Sequence, residues 1–302
     1  MLNKFIDLHM HSYYSDDGEF SPAELVKRCS DRGIRIMAIA DHNSIKAVAE
    51  AKKEAEKYHI HYIHAMEIDC TYQGIDLHVL GYGIDYKNKA FDDLEENILH
   101  QERACSGKKL ELTNRLGFDV KQEQLDELSK DGVYTGEMFA EILLNDARYQ
   151  EHKLLQPYQA GGSRSDNPYV NFYWDFYTQG KACYTEIIYP SLEAVFKLIA
   201  ENGGVAVLAH PGNNLKGKFE IFDELIEAGL QGVEAFSSYH DDETAKYFLQ
   251  KGRDHNLLVT CGSDYHGKIK PAIEIGETGC TIDQREIQKE LEKRGLFLLR
   301  KK

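Results

Sequence analysis

Short apolar runs alternate with amphipathic stretches through most of this chain, and polar residues recur where the apolar runs stop. Ser21-Pro22-Ala23-Glu24 predicts a helix start, with Ser21 as N-cap, Pro22 in the first turn and Glu24 closing a capping box; Gly33 ends that helix. Residues 34–40 are apolar enough for a strand buried on both faces, and the run stops at Asp41-His42. The unit then repeats. A helix over 44–58 leads to a strand over 60–66 that stops at Glu67, and a turn at Gln73-Gly74 leads to a segment over 75–80 carrying His78. Further on, a helix over 192–201 and a stop at Gly203-Gly204 precede a strand over 205–209 that ends in His210-Pro211. A helix over 219–228 precedes a strand over 232–236, followed by Tyr239-His240. The last unit runs from a helix over 245–255 into a strand over 257–261 and ends in Gly262-Ser263-Asp264-Tyr265-His266.

Strands alternating with helices predict an α/β fold with a mainly parallel sheet. Closed into a barrel, such a sheet gathers its strand ends on one face, where barrel enzymes place their chemistry. The opening stretch Asp7-Leu8-His9-Met10-His11 fits this plan. In an extended strand Asp7, His9 and His11 share one face while Ile6, Leu8 and Met10 share the other, a polar face beside an apolar one. Residues 87–181 break the rhythm: a long polar helix over 91–116, a stretch to Leu128, an exposed loop over 156–168, and the aromatics Tyr169, Phe172, Tyr173, Trp174, Phe176 and Tyr177. This segment reads as an inserted, mainly helical cap, leaving 1–86 and 182–302 as the barrel. Its aromatics suit the core of a small subdomain better than a base-stacking platform.

Composition narrows the function. With 302 residues and 42 % hydrophobic content the chain has ample material for a core. No apolar run reaches the roughly 18 residues of a membrane helix, and the N-terminus lacks the pattern of a signal peptide, so a soluble cytoplasmic protein with no membrane partner is expected. The six cysteines are scattered without a CxxC pair, which fits reduced thiols rather than a thiolate metal site. A net charge of −14 argues against a general nucleic-acid grip, and no stable nucleic-acid complex is expected.

The polar strand ends are His9, His11, Asp16, Asp41, His42, Glu67, His78, His210, His240, Asp264 and His266. Every one offers nitrogen or oxygen and none a thiolate, a set suited to two or three divalent ions such as Zn, Mn or Fe. His59, His61 and His64 also resemble a metal tract, but they precede the strand whose far end carries Glu67 and read as surface. On Asp7-Leu8-His9-Met10-His11 with Ser15-Asp16, Ile39-Ala40-Asp41-His42-Asn43, Glu67, His78, Ala209-His210-Pro211 and Gly262-Ser263-Asp264-Tyr265-His266, the chain resembles the PHP (polymerase and histidinol phosphatase) metal-dependent phosphoesterases.

The resemblance implies a distorted seven-stranded β/α barrel with up to three metals. It implies one held by His9, His11, Glu67 and Asp264, a second by Glu67, His78 and His210, and a third by Asp16, His42 and His266, with Glu67 bridging. It further implies hydrolysis of a phosphomonoester by a metal-bridging hydroxide, needing no Ser or Cys nucleophile. His240 is the candidate general acid or phosphate contact, set against a structural role; Asp41 is the candidate to orient an imidazole, set against capping the loop that follows it. The cap and the stretch Gly180-Lys181-Ala182-Cys183-Tyr184 look most similar to stand-alone nucleotidases, which implies Lys181 and Arg103 as substrate contacts. Where those relatives show an Arg-Pro-His stretch, this chain has Thr135-Gly136-Glu137-Met138, an acidic residue in place of a basic pair, so a small phosphomonoester, a nucleotide first among them, is the expected substrate. An exonuclease acting on short oligonucleotides and a non-catalytic metal- or nucleotide-binding module are the alternatives. Amidohydrolases also open with HxH, but no strand-end lysine suited to bridging two metals is found.

Overall fold

The computed structural model describes residues 4–297. Among these, eight strands fall into two sheets rather than one continuous ladder. The first sheet holds β1 (Ile6–Asp7), β2 (Ile36–Met37) and β3 (His61–Tyr62), all parallel. The second runs β4 (Ala65–Tyr72), β5 (Ile75–Tyr82), β6 (Val205–Leu208), β7 (Gly232–Ser237) and β8 (Leu258–Gly262). Here β5 lies antiparallel to both β4 and β6, and the remaining pairs are parallel. The antiparallel step follows from the Gln73-Gly74 turn: a two-residue connection reverses the chain and cannot deliver a parallel neighbour.

A continuous seven-stranded closed barrel is therefore not what the hydrogen bonding shows. The sheets meet at single bridges, Met10 with Tyr265 and His42 with Glu67. Around the first, Leu8 N–H donates to Cys261 O at 3.0 Å and Asp264 N–H to His9 O at 2.8 Å; around the second, Asn43 N–H donates to Glu67 O at 2.7 Å. Past Asp7 and Met37 the chain keeps only alternate ladder bonds, Ala38 N–H to Asp7 O and Ala40 N–H to Met10 O. Both junctions fall where the polar residues cluster.

The described residues also form eleven α-helices: α1 (Pro22–Asp31), α2 (Ala47–Lys57), α3 (Lys89–Arg115), α4 (Gln122–Leu128), α5 (Gly136–Leu144), α6 (Pro168–Phe176), α7 (Leu192–Glu201), α8 (Pro211–Leu215), α9 (Ile221–Glu227), α10 (Asp242–Asp254) and α11 (Gln284–Lys293). The expected capping box on α1 is present, Ser21 and Glu24 exchanging side-chain and backbone bonds. The main core joins both sheets to α7, α9, α10 and α11 through Leu8, Val79, Val207, Phe222 and Phe248. A second cluster packs α1 and α2 on the first sheet through Leu25, Val26, Ala51 and Met10. The third belongs to α4–α6 and their loops: Leu125, Phe139, Leu143, Tyr158 and Phe172 bury one another with no strand among them. Lys268 pairs with Glu141 at 2.7 Å and Lys46 with Glu95 at 2.9 Å, which holds α3 and α5 over the strand ends. No described helix is long and apolar enough to cross a membrane.

Candidate metal centre

Glu67 is the centre of the site. It sits on β4, fully buried, and its two oxygens face different imidazoles. Oε1 lies 3.1 Å from both His78 Nδ1 and His210 Nε2. Oε2 lies 3.1 Å from His9 Nε2, 3.2 Å from His11 Nε2 and 3.4 Å from His42 Nδ1. One carboxylate thus joins two sets of nitrogen donors, the geometry of a bridging ligand. Burial opposes ionisation of Glu67, but the field of His9, His42 and His78 outweighs it and holds the carboxyl well below its usual range.

Three groups of donor atoms converge closely enough to share an ion: His9, Glu67, His210 and Asp264; His11, Asp17, His42 and His266; and His42, Asp69 and His78. Several of these atoms are buried without any hydrogen-bond partner, namely Asp17 Oδ1, His42 Nδ1, Asp69 Oδ1, Asp264 Oδ1 and His266 Nε2. Orphaned buried acceptors are costly unless something else satisfies them. Their convergence, with donor types that suit hard or borderline divalent ions, fits a multinuclear centre.

Four of the donor residues, His9, His11, Asp264 and His266, are held from behind. His9 Nδ1–H donates to Glu234, 3.1 and 3.2 Å from its two oxygens, leaving Nε2 turned to the cluster. His11 Nδ1–H donates to Ser15 Oγ at 3.0 Å, and that hydroxyl donates to Asp41 at 3.2 Å while accepting His42 N–H at 2.8 Å. Asp41 therefore orients an imidazole through Ser15; it also takes both the N–H and the hydroxyl of Ser12. His266 Nδ1–H donates to the Asp264 carbonyl at 2.8 Å. Asp264 gives Oδ2 to Lys270 and Tyr239, each at 2.6 Å, which leaves Oδ1 for the cluster. Its own backbone lies in the left-handed region at φ 57, an uncommon conformation for a non-glycine residue and one often found at functional sites. Burial pushes the His11 imidazole down to about 4, which keeps it in the neutral form a metal requires.

Eight of the nine sequence-derived metal candidates, His9, His11, His42, Glu67, His78, His210, Asp264 and His266, meet here. Asp16 does not join them. Both Asp16 and its neighbour Asp17 line the adjoining cavity, but it is Asp17 that places Oδ2 3.2 Å from His266 Nε2 and joins a donor group. In a turn, adjacent residues point in different directions, and composition cannot say which of two aspartates faces inward.

Two further acids went unnoticed in the sequence. Asp69 follows Glu67 by two residues on β4, so alternation puts both on one face, and it stands directly opposite His78 in the β4–β5 register. Glu234 is a charge inside the apolar run Gly232-Val233-Glu234-Ala235-Phe236, buried completely. That isolated acid was the signal available.

A cavity of about 300 Å³ opens from this cluster toward the cap. His42, His78, His210 and Asp264 line its floor; Glu137, Tyr173 and Trp174 line its roof. So Tyr173, Trp174 and Tyr177 face the cavity, Tyr177 packing at the same time in the α4–α6 core to which Phe172 belongs. Lys181 and Arg103, expected as substrate contacts, are not on this wall. Lys181 is exposed beyond α6, and Arg103 is engaged in donating Nε–H at 2.6 Å to the carbonyl of Asp131, a residue of that wall. His240 is likewise off the wall. Gly212 N–H donates to its Nε2 at 3.0 Å and its Nδ1–H donates to Ala235 O at 2.9 Å, so both ring nitrogens are engaged by backbone. Burial lowers its pKa, and it holds α8 against β7 rather than facing a leaving group.

Comparison with known proteins agrees with this geometry. The PHP domain model matches residues 7–237. The chain is 28 % identical to a 3′,5′-nucleoside bisphosphate phosphatase of Chromobacterium violaceum, over 90 % of this chain and 91 % of that one. It is 25 % identical to a phosphoribosyl 1,2-cyclic phosphate 1,2-diphosphodiesterase of Eggerthella lenta, over 89 % and 97 % respectively. A crystal structure assigned as a metal-dependent phosphoesterase of Bifidobacterium adolescentis superposes with a TM-score of 0.76 at 26 % identity, covering 99 % of each chain. With the motif match spanning both sheets and the donor clusters seated at their junction, the chain belongs to the PHP-domain family of metal-dependent phosphoesterases.

Proposed function

We propose that this protein is a phosphatase that hydrolyses small phosphomonoesters, a nucleotide or sugar phosphate, at the Glu67 centre. The observation that carries the reading is the two-sided presentation of Glu67, with orphaned donor atoms converging around it at the floor of a cavity. Ions bound there would supply Lewis acidity toward phosphoryl oxygens and acidify water to a nucleophile. The protein's own residues prepare the site. Glu234 and the Ser15–Asp41 pair fix the tautomers of His9 and His11, Lys270 and Tyr239 hold Asp264 in one rotamer, and the cap limits access of bulk water. His240, engaged on both sides, is left to positioning.

A cavity of about 300 Å³ accommodates a small ester rather than a folded nucleic acid. The two relatives named above act, by their names, on a nucleoside bisphosphate and on a phosphoribosyl cyclic phosphate; both are phosphorylated, ribose-bearing molecules. The test is phosphate release from a panel of nucleotides and sugar phosphates by purified protein reconstituted with Mn²⁺. Silence across the panel with metal bound sinks the proposal. Shortening of a labelled RNA trimer without monoester turnover would transfer the site to phosphodiester cleavage.

A further inference from the structure

Resting on the phosphatase reading, we infer that Trp174 is the platform on which a planar ring of the substrate stacks, so that the centre takes nucleoside monophosphates in preference to sugar phosphates that lack a base. Trp174 is the one tryptophan of the chain and lies on α6. The other aromatics of this stretch are spent on the cap itself. Tyr169, Phe172, Tyr173, Phe176 and Tyr177 all pack in the α4–α6 core, and Trp174 does not. Four residues apart, Val170 and Trp174 share a face of α6, and the packing of the cap turns that face to the cavity.

The indole is half-buried. It meets the ring of Tyr239 edge-on, with centroids 5.8 Å apart and planes at 66°, and no other ring among the described residues packs against it. Tyr239 in turn belongs to the floor of the cavity. Its hydroxyl donates to Asp264 Oδ2 at 2.6 Å, and its ring stands 5.7 Å from that of His210. The indole is therefore one ring removed from two of the metal donors. A phosphate held at the centre sends its leaving group out along this wall, where a ribose spans the Tyr239 ring and brings what it carries to Trp174. An apolar π-face left partly in water gains when a flat ring covers it, through lost apolar surface and through stacking. A base can do this, whereas a hydroxyl at the same sugar carbon cannot. The cavity, at about 300 Å³, is at the small end of the range for small-molecule sites, which suits one nucleoside.

The experiment compares 5′-AMP with ribose 5-phosphate, the same sugar phosphate with and without the ring, on protein reconstituted with Mn²⁺. Wild-type kcat/KM should be at least about tenfold higher for 5′-AMP, chiefly through KM. Trp174→Ala should bring the two esters within about threefold of each other. Trp174→Phe, which keeps a smaller ring, should fall between; melting temperatures confirm that both variants fold. Because Trp174 is the sole tryptophan, protein fluorescence reports on the platform directly: adenosine, a ring with no ester, should quench it saturably, and ribose should not. A wild type that does not favour 5′-AMP, or fluorescence that adenosine leaves unmoved, overturns this inference and leaves the phosphatase reading standing. So does a Trp174→Ala variant that loses activity on both esters in equal proportion, the result expected if the indole only fastened the cap to Tyr239. No phosphate release from any ester of the nucleotide and sugar-phosphate panel overturns the phosphatase reading and this inference with it.

Discussion

Replacing Glu234 by glutamine tests how far the metal centre depends on a residue that offers it no ligand atom. Glu234 accepts two donors at once, His9 Nδ1–H at 3.1 Å and His210 N–H at 2.8 Å. A glutamine whose carbonyl takes the place of Oε2 can still accept both, His210 N–H at 2.8 Å and His9 Nδ1–H at 3.2 Å, but its amide N–H then replaces Oε1, 3.1 Å from His9 Nδ1. That sets donor against donor in a place where His9 and Glu234 are both fully buried and no solvent relieves the mismatch. Losing a hydrogen bond to an ionised acceptor costs about 1.5–3 kcal/mol. Partners of metal-binding imidazoles change metal affinity by about 10- to 100-fold, or roughly 1.4–2.7 kcal/mol, the same range. The expected outcome is a Mn²⁺ dissociation constant 10- to 100-fold weaker by calorimetry, with phosphatase activity restored in part by excess metal. Urea unfolding of the metal-free variant should show a loss of about 1.5–3 kcal/mol. A folded variant that binds Mn²⁺ with unchanged affinity would refute the idea that His9 is held in its ligating tautomer from behind.

The adjacent aspartates give a sharp contrast: Asp17→Asn should lower metal stoichiometry and activity together, whereas Asp16→Asn should leave stoichiometry intact, measured by elemental analysis of dialysed protein. The reverse pattern would show that the turn points the other way when metal is present. Lys181→Ala and Arg103→Ala should each leave KM for a nucleotide substrate within about twofold, since neither reaches the cavity wall and exposed charges act weakly through solvent. Gly262→Ala should destabilise the protein by roughly 1–3 kcal/mol in urea melts. A Cβ there would meet His9 Cβ at 2.2 Å and Glu234 Oε1 at 2.4 Å, so a wild-type melt would show that the β8 turn relaxes at little cost.

The cap illustrates how a local pattern can be sound while its use is not legible. Periodicity indicated a long helix over 91–116 and an aromatic stretch after it, and α3 and α6 stand close to those positions. Which aromatics face the cavity and which form the core depends on how α5 and α6 cross. That depends on the close approach of Gly136 in α5 to Tyr173 and Tyr177, a contact that neither helix's sequence specifies by itself.

The alternation of apolar runs with helices, the nature of the donors and their recurrence at strand ends are properties of local sequence, because side-chain direction along a strand or helix follows from backbone period alone. They were enough to indicate an α/β fold with a His/carboxylate metal centre; phosphoester chemistry came from the resemblance of those motifs to the PHP family. Tertiary structure alone decided which of Asp16 and Asp17 turns inward, that Asp69 stands across from His78, and that Glu234 lies behind His9. It also decided that His240 is engaged by backbone and that the two sheets are joined by single bridges rather than by one continuous ladder. Each of these depends on the distance between residues far apart in the chain, or on the direction of one side chain in a turn. No repeat or spacing in the sequence carries such distances; the packing of the two sheets, and of the cap over them, does.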